Sequence, residues 1–357
     1  MGAIRFLLAV SVAIYHGAPL FGYPMVSGPN AVTLFFMISG FYMTLVLNGK
    51  YEAGGSAFLI NRALKIFPAY WVVILICHLV NPIPFGTMPL ETVSYFVWSN
   101  IAIIGSHMTA ILQLNPSGAL VPLPLNGQFT DGVSAWGGLY FGPVWSLSVE
   151  LLFYMAAPLL VRMDGRYLWR IGMATLLSFS ALLFYRTQHA PAVPWEYNLF
   201  LPNLMFFLFG SLSCAGFSSG VFAKVVPFNR FSGWGMFAVL LGAIALYPMV
   251  PKINVGPLHL STLQVACIIL LVAMPYVFQL FRNSRIDRYI GNLSYPIYVV
   301  HFMVINHFRG AVSDEWKLAV TVVLSVVIYH VVMVPVETFL ARKPEKAVGK
   351  PTRSSSG

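Results

Sequence analysis

Long apolar stretches, separated by short polar segments, are the feature that most restricts the fold of this chain. Of its 357 residues, 58% are hydrophobic and only 9% are charged. A soluble protein of this length needs more charged residues than this to cover its surface. The stretches run to roughly 17–25 residues, the length of an α-helix that crosses a bilayer. The sequence therefore predicts an all-α, polytopic transmembrane helical bundle.

The basic residues predict the orientation of this bundle. We assign about ten spans, at residues 4–22, 30–48, 66–81, 144–161, 169–187, 199–217, 231–249, 260–281, 289–308 and 317–340. An N-terminus inside the cell places all but four of the 21 basic residues on the cytoplasmic side. This asymmetry obeys the positive-inside rule and predicts that both termini are cytoplasmic. The net charge of +10 then reflects topology, and no nucleic-acid partner is expected.

Residues 91–113 form one more apolar segment, and its placement is decided by the same rule. If it spanned the membrane, every later loop would invert and the positive-inside pattern would be lost. No Lys or Arg occurs between Lys65 and Arg162. We therefore expect residues 82–143 to be external, with 91–113 interfacial or re-entrant; an eleventh span is the alternative. Residues 1–342 are predicted to be one transmembrane domain, followed by a basic, disordered cytoplasmic tail over 343–357.

Three ionisable residues lie inside the apolar stretches at one depth, and such residues are functional candidates because a membrane interior makes them expensive. His16 and His301 each lie twelve residues up their spans, about 18 Å from the inner edge. Glu150 lies about 9 Å below the outer edge, or about 21 Å above the inner one. We expect His16 to act as a general base and Glu150 to orient or stabilise it. The alternative is a histidine that bonds a neighbouring helix and holds it in place.

A second candidate is the basic segment FLINRALKIFPAYW, residues 58–71, at the cytoplasmic edge of the third span. Arg62 and Lys65 are three residues apart and share a helix face. Together with Arg5 they form a candidate cationic pocket for a phosphorylated cofactor. Ordinary positive-inside anchoring is the alternative reading of these residues.

The segments LFFMISGFYM (34–43) and GPVWSLSVELLFY (142–154) supply candidate substrate contacts. Gly40 permits either close helix approach or a ligand-sized gap, and Phe35 and Phe36 beside it predict a narrow tunnel. Trp145 and Ser146 are predicted at the outer mouth, where a sugar stacks on an indole and bonds a hydroxyl. An aromatic belt and a polar helix start are the alternative. The spacing of the three cysteines indicates neither a disulfide framework nor a metal site.

Five segments, taken in order, resemble the membrane-bound acyltransferase-3 family of carbohydrate O-acyltransferases: IRFLLAVSVAIYH, LFFMISGFYMTLVL, FLINRALKIFPAYW, PVWSLSVELLFY and GNLSYPIYVVH. The resemblance covers about residues 3 to 342. It implies ten core helices, an acyl group taken from cytoplasmic acyl-CoA, and a carbohydrate or glycolipid acceptor at the external face. Two departures stand out. Gly2 occupies a position that is often acidic, and the usual I-E-x-P near the last helix is replaced by PVETF, which puts the role of Glu337 in doubt.

The family's motifs fall on named residues of this chain. The matching positions are Arg5, His16, Arg62, Lys65, Ile66, Pro68, Tyr70, Trp71, Trp145, Ser146, Leu147, Glu150, Ser294, Tyr295, Tyr298 and His301. The resemblance implies coenzyme A phosphates on Arg5, Arg62 and Lys65. It also implies an acceptor that enters past Trp145 and Ser146. His16 would then be the base, and Tyr295 or His301 would bind the oxyanion.

The sequence thus predicts a multi-pass enzyme of a bacterial inner membrane, surrounded by lipid, that uses acyl-CoA, most simply acetyl-CoA, and no metal. Two other functions remain open at this point. One is a glycolipid or polysaccharide transporter or flippase. The other is a permease that passes the acyl group to a separate transferase. The sequence also leaves open whether the protein is a monomer or a homodimer.

Overall fold

The computed structural model describes residues 1–17, 19–51, 55–86, 88–124, 129, 132–161, 198–249, 253–255 and 258–342, and this part of the chain is mostly helical. Its helices are α1 (Gly2–His16), α2 (Gly28–Leu47), α3 (Gly55–Val80), α4 (Leu90–Ala102), α5 (Val144–Leu160), α6 (Phe200–Ser218), α7 (Val221–Val225), α8 (Arg230–Ala245), α9 (Thr262–Phe281), α10 (Arg285–His307), α11 (Asp314–Ile328) and α12 (Val334–Arg342). A π-helical turn, Tyr329–Met333, joins the last two.

Helix pairs that are distant in sequence form the centre of the bundle. Helix α1 packs along α10, and α2 packs along α6. Ile4, Leu8 and Val12, each four residues after the last, are almost completely buried on one face of α1. At the start of this helix the Asp287 carboxylate accepts hydrogen bonds from the backbone N–H groups of Gly2 and Ala3. A carboxylate at a helix N-terminus also complements the helix dipole.

Five helical stretches are long and apolar enough to cross a membrane, and each overlaps a predicted span: Gly28–Leu47, Gly55–Val80, Phe200–Ser218, Thr262–Phe281 and Asp314–Leu340. The predicted spans 144–161, 231–249 and 289–308 overlap further helices, whereas α1 ends at His16, before the end predicted for its span at residue 22. The full set of ten spans stays a prediction. Helix α3 begins eleven residues before its predicted span, so Arg62 and Lys65 lie within the helix. The predicted span 169–187 and the predicted tail 343–357 lie outside the described residues. The orientation of the termini stays a prediction.

Residues 91–113 do not form one continuous helix. Helix α4 has 13 residues, or about 20 Å, which is too short for a bilayer core of about 30 Å. It ends at Ala102, and the backbone then turns through Ile103 and Gly105, both of which have positive φ. A 3₁₀ helix, Ser106–Ile111, follows and leads into β1 (Leu112–Leu114), which pairs antiparallel with β2 (Leu120–Pro122) and β3 (Val133–Ser134). A second hairpin joins β4 (Ile253–Val255) to β5 (Leu258–Leu260).

Candidate active site

The ends of α1 and α10 bring together two histidines that are far apart in sequence. The ring centroids of His16 and His301 are 5.3 Å apart. Phe302 closes the pair from the side, with its ring edge-on to His16 at 5.6 Å, and Phe141 packs against His301 at 5.8 Å. His301 is completely buried, whereas His16 is half-buried. Two imidazoles in contact inside an apolar bundle form a candidate proton-transfer centre.

The hydrogen bonding of His301 determines which of its nitrogens is basic. Its Nδ1 lies 2.6 Å from the Tyr298 carbonyl oxygen, and because a carbonyl only accepts, Nδ1 carries the proton and donates. In the neutral ring Nε2 then has a free lone pair. This atom is buried and has no hydrogen-bond partner among the described residues. The prediction that His301 donates to an oxyanion does not fit this tautomer, and Nε2 is instead an acceptor.

A cationic cavity of about 490 Å³ lies at the end of the bundle that the charge pattern assigns to the cytoplasm. Five basic residues line it: Arg5, Lys50, Lys65, Arg282 and Arg288. Of these, only Lys65 lies within 4.0 Å of a carboxylate among the described residues, that of Glu337. Asp287 also lines the cavity, but its carboxylate pairs with the N-terminal ammonium group at 2.8 Å. Glu337, whose role the departure from I-E-x-P put in doubt, therefore belongs to this cavity. The remaining positive charge favours a polyanionic ligand.

A second, narrower cavity of about 280 Å³ continues from the first into the bundle. Arg5, Tyr42 and Lys65 line both cavities. The second one also contains Arg62, Phe36, Ser39 and Glu150, and it extends to Ser146, Ser294 and Tyr298. The Tyr298 ring lies 5.7 Å from that of His301. The two cavities, joined by shared lining residues, and the contact of Tyr298 with His301 form one series from the cationic end to the histidine pair. Neither histidine itself lines either cavity.

Arg62 is held in this second cavity by aromatic rings. Its guanidinium carbon lies 5.4 Å from the centroid of Phe58 and 5.9 Å from that of Tyr154. Its Nε atom is buried and has no hydrogen-bond partner among the described residues. A buried guanidinium nitrogen with no acceptor is costly, so this site favours an incoming acceptor atom.

Glu150 does not pair with His16, and the prediction that it would is wrong. Its Oε1 accepts hydrogen bonds from Ser39 at 2.8 Å and from Tyr154 at 2.6 Å. Within the described residues, no hydrogen bond joins it to either histidine. The predicted depths of the three residues agree, but α5 turns this carboxylate toward α2 and into the second cavity. The neighbour of His16 is His301.

The hydroxyl groups at the end of the second cavity nearer the histidine pair already form hydrogen bonds with backbone carbonyls. Tyr295 donates to the Ile66 carbonyl at 2.7 Å, so its predicted oxyanion role conflicts with an existing bond. Tyr298 donates to the Pro143 carbonyl at 2.8 Å, and Ser146 Oγ lies 2.6 Å from the Tyr298 hydroxyl. Ser146 lies 3.2 Å from the same carbonyl, so its proton has two possible acceptors. Of the predicted contacts, Ser146 is the hydroxyl nearest to the end of this cavity.

The remaining predicted substrate contacts have different outcomes. A Cβ added to Gly40 would lie 2.0 Å from the Phe207 carbonyl oxygen, so this glycine serves close packing of α2 on α6 and leaves no gap for a ligand. Phe36 lines the second cavity and packs edge-on to Phe153 at 5.2 Å. Trp145 is partly buried against the hydrophobic core, and its role in sugar binding stays a prediction.

Comparison with known proteins settles the family. A family model described as an acyltransferase domain, that of the acyltransferase-3 family, matches residues 1–342. The chain belongs to this family. The acyltransferase is 26% identical over 298 residues to the exopolysaccharide production protein ExoZ of Rhizobium meliloti (strain 1021), which covers 82% of this chain and 81% of that protein. It is 27% identical over 210 residues to nodulation protein 10 of Rhizobium leguminosarum bv. viciae, covering 56% of this chain and 53% of that protein. The chain thus aligns with about half of the second relative's length, and no solved structure matches it.

Sequence reasoning missed three members of the cationic cavity in this acyltransferase. Lys50, Arg282 and Arg288 were interpreted only as topological charges, although they line the cavity with Arg5 and Lys65. The signal available was their shared position at the predicted cytoplasmic end. Charge counting gives the end of the bundle but not which of its charges face inward. For metals, the described residues bring together no group of three His, Cys, Asp or Glu side chains able to hold an ion.

Proposed function

We propose that this protein is a transmembrane O-acyltransferase of the bacterial inner membrane. It moves an acyl group, acetyl in the simplest case, from cytoplasmic acyl-CoA to a hydroxyl of a carbohydrate at the external face. The observation that carries this proposal is the series formed by the cationic cavity, the narrow cavity and the histidine pair. The family and the printed name of the relative ExoZ, an exopolysaccharide production protein, support an acyl transfer to polysaccharide.

Acyl-CoA fits the two cavities in one orientation, with its phosphates in the cationic cavity and its pantetheine arm in the narrow one. Its phosphates are polyanionic and match the cationic cavity, where guanidinium groups bind phosphate oxygens in pairs. Its pantetheine arm, roughly 15–20 Å long, is comparable to half the bilayer core and would follow the narrow cavity. Glu150, held by Ser39 and Tyr154, presents a carboxylate that accepts hydrogen bonds from amide N–H groups of this arm. The small volume of this cavity, about 280 Å³ with Phe36 in its lining, favours a short acyl group.

The reaction transfers the acyl group directly from the thioester sulfur to the acceptor oxygen. The acceptor hydroxyl oxygen attacks the thioester carbonyl carbon, the new C–O bond forms, and the C–S bond breaks. His16 removes the hydroxyl proton as the attack proceeds, and this proton passes to the departing thiolate to give free coenzyme A. The lone pair on His301 Nε2 stabilises protonated His16, in the place first predicted for Glu150. Ser146, beside Tyr298, would donate to the developing oxyanion once its hydroxyl turns away from the Pro143 carbonyl and the Tyr298 hydroxyl.

The experiment that tests this proposal is hydrolysis of radiolabelled acetyl-CoA by purified protein, in which water replaces the acceptor. We expect slow turnover by the wild type. His16→Ala should lower turnover by about 10²–10⁴-fold with coenzyme A binding retained, because it removes a general base. Arg62→Ala combined with Lys65→Ala should weaken coenzyme A binding instead.

The matched control is His330→Ala, because His330 is an exposed histidine that contacts only the Tyr289 hydroxyl and nearby rings among the described residues. It should leave both turnover and binding unchanged. If the wild type neither binds coenzyme A nor hydrolyses its acetyl ester, the acyltransferase proposal is wrong. The polar series through the bundle is then better explained as a transport path.

A further inference from the structure

A third cavity, of about 710 Å³, shares no lining residue with the two cavities described above. It is bounded by the ends of α3 and α10 and by the loop that precedes α5. Phe302 lines this cavity, and the same ring packs edge-on to His16. Phe302 therefore contacts both this cavity and the proposed base.

The lining of the third cavity differs in chemistry from that of the donor cavities. Among the described residues that line it, none is Asp, Glu, Lys or Arg. Its polar groups are uncharged amides, a phenol and an imidazole: Asn81, Asn306, Tyr140 and His307. The Tyr140 hydroxyl accepts from the backbone N–H of Ile83 at 3.1 Å and lies 2.5 Å from His78 Nδ1. Amides and aromatic rings suit a neutral sugar, which bonds through hydroxyls and stacks its apolar face.

One wall of this cavity is continuous with the apolar outer face of α3. Ile76 and Val80 line the cavity and are one helical turn apart. Val80 is 56% exposed, and its neighbour Leu79 is 73% exposed. In a helix that crosses a membrane, such a face meets lipid tails. The cavity thus combines a polar part suited to a sugar with a wall that opens toward the hydrocarbon.

We propose that the third cavity is the acceptor site and that its occupant is a lipid-linked saccharide. The inference rests on the proposed function. The sugar lies against Asn81 and Asn306, the lipid chain lies along Ile76 and Val80, and Phe302 moves aside to let one hydroxyl reach His16. The oxygen of that hydroxyl then forms the ester bond as the thioester breaks, with its proton passing through His16 to the thiolate. This route replaces the predicted entry past Trp145 and Ser146, since Ser146 faces the donor cavity.

Gly137 offers a way to fill the cavity without disturbing the fold. It lines the cavity, and a Cβ added to it has no heavy atom within 4 Å. Gly235 in α8 is equally open and does not line the third cavity, so Gly235→Trp is a matched control for Gly137→Trp. The acceptor probes are decyl glucoside, one sugar with one alkyl chain, and free glucose. The measurements are release of coenzyme A from acetyl-CoA in lipid nanodiscs and mass spectrometry of the acetylated probe.

We expect decyl glucoside to accelerate coenzyme A release by the wild type at least about tenfold more than free glucose does. Gly137→Trp should abolish this acceleration and keep the slow hydrolysis by water, while Gly235→Trp keeps both. Val80→Asp should raise the KM for decyl glucoside several-fold with kcat unchanged, because it places a charge on the apolar wall.

Three results would overturn the inference. Equal acceleration by glucose and decyl glucoside would remove the role of the lipid chain. Full acceleration in Gly137→Trp would place the acceptor elsewhere. No acceleration of the wild type by either probe, with hydrolysis intact, would exclude an alkyl-linked sugar as occupant. Absence of wild-type hydrolysis is a different result, because it contradicts the proposed function itself.

Discussion

The cationic cavity and the third cavity share no lining residue, and their linings differ in charge. The first is lined by five basic residues and two carboxylates, and the third by uncharged groups and His307. Charges are expensive inside a bilayer and cheap at its edge, so the basic residues occupy the end predicted to face the cytoplasm. The difference indicates that the donor is recognised by charge and the acceptor by shape and hydrogen bonding.

The largest expected effect lies at His301, which contacts His16. If Nε2 supports His16, His301→Phe lowers kcat for both hydrolysis and transfer by about 10²-fold, because it removes a proton-transfer partner. His301→Gln, which restores a hydrogen-bond acceptor, should recover part of the activity. A packing role predicts the reverse order, since Phe keeps the ring contacts with Phe141 and Phe302. Turnover of the two variants, measured with coenzyme A binding as the control, separates these roles.

Charge recognition of the donor is tested at the junction of α9 and α10, which carries three arginines. Arg282 and Arg288 line the cationic cavity, whereas Arg285 lies between them in sequence and is exposed without lining it. Arg282→Gln with Arg288→Gln should raise the Kd for coenzyme A by about 10–100-fold, from the loss of charge-assisted hydrogen bonds. Arg285→Gln should change it little. If only net charge matters, Arg285→Gln should cost about half the binding free energy that the double variant costs. Calorimetric titration decides between the two cases.

Glu150 gives a smaller effect and tests its assignment to the donor side. Because its carboxylate contacts Ser39 and Tyr154 rather than His16, Glu150→Gln should raise the KM for acetyl-CoA a few-fold. The dependence of kcat on pH should stay as in the wild type. A changed pH profile with an unchanged KM would instead connect this carboxylate to the base. Steady-state kinetics between pH 5.5 and 8.5 provides the test.

The smallest expected effect concerns the region of 3₁₀ helix and short strands that precedes α5. His107 Nδ1 lies 2.8 Å from Ser148 Oγ, and burial lowers the pKa of His107 below its usual value of about 6.5. As the pH falls below about 6.5, His107 is protonated more readily in the unfolded chain than in the folded protein. The free energy of unfolding therefore decreases as the pH is lowered. His107→Gln should therefore narrow the difference in Tm between pH 7.5 and pH 5 by about a degree or two. An unchanged difference would show that another group causes it.

Most of the helices could be predicted from the sequence, and an expected depth could be assigned to each site residue. Which side chains these residues contact could not be predicted. His16 and His301 were placed at one depth by counting residues, and they meet in the structure. Glu150 was placed at nearly the same depth by the same count, yet it faces Ser39. Gly40 is a second example. Its sequence context allowed either close helix packing or a gap for a ligand, and only the position of α6 against it decides for close packing. Depth follows from the rise of a helix, whereas the direction of a side chain follows from its neighbours.

The sequence by itself therefore determined the class of protein, the helical segments and the family, because apolar length and motif order are properties of the chain. Only the tertiary structure decided that His301 is the partner of His16, that Arg282 and Arg288 join Arg5, and that Phe302 lines a third cavity. These contacts depend on how each helix is rotated about its axis. That rotation is set by close packing between helices far apart in sequence, such as α1 with α10, which no local pattern encodes.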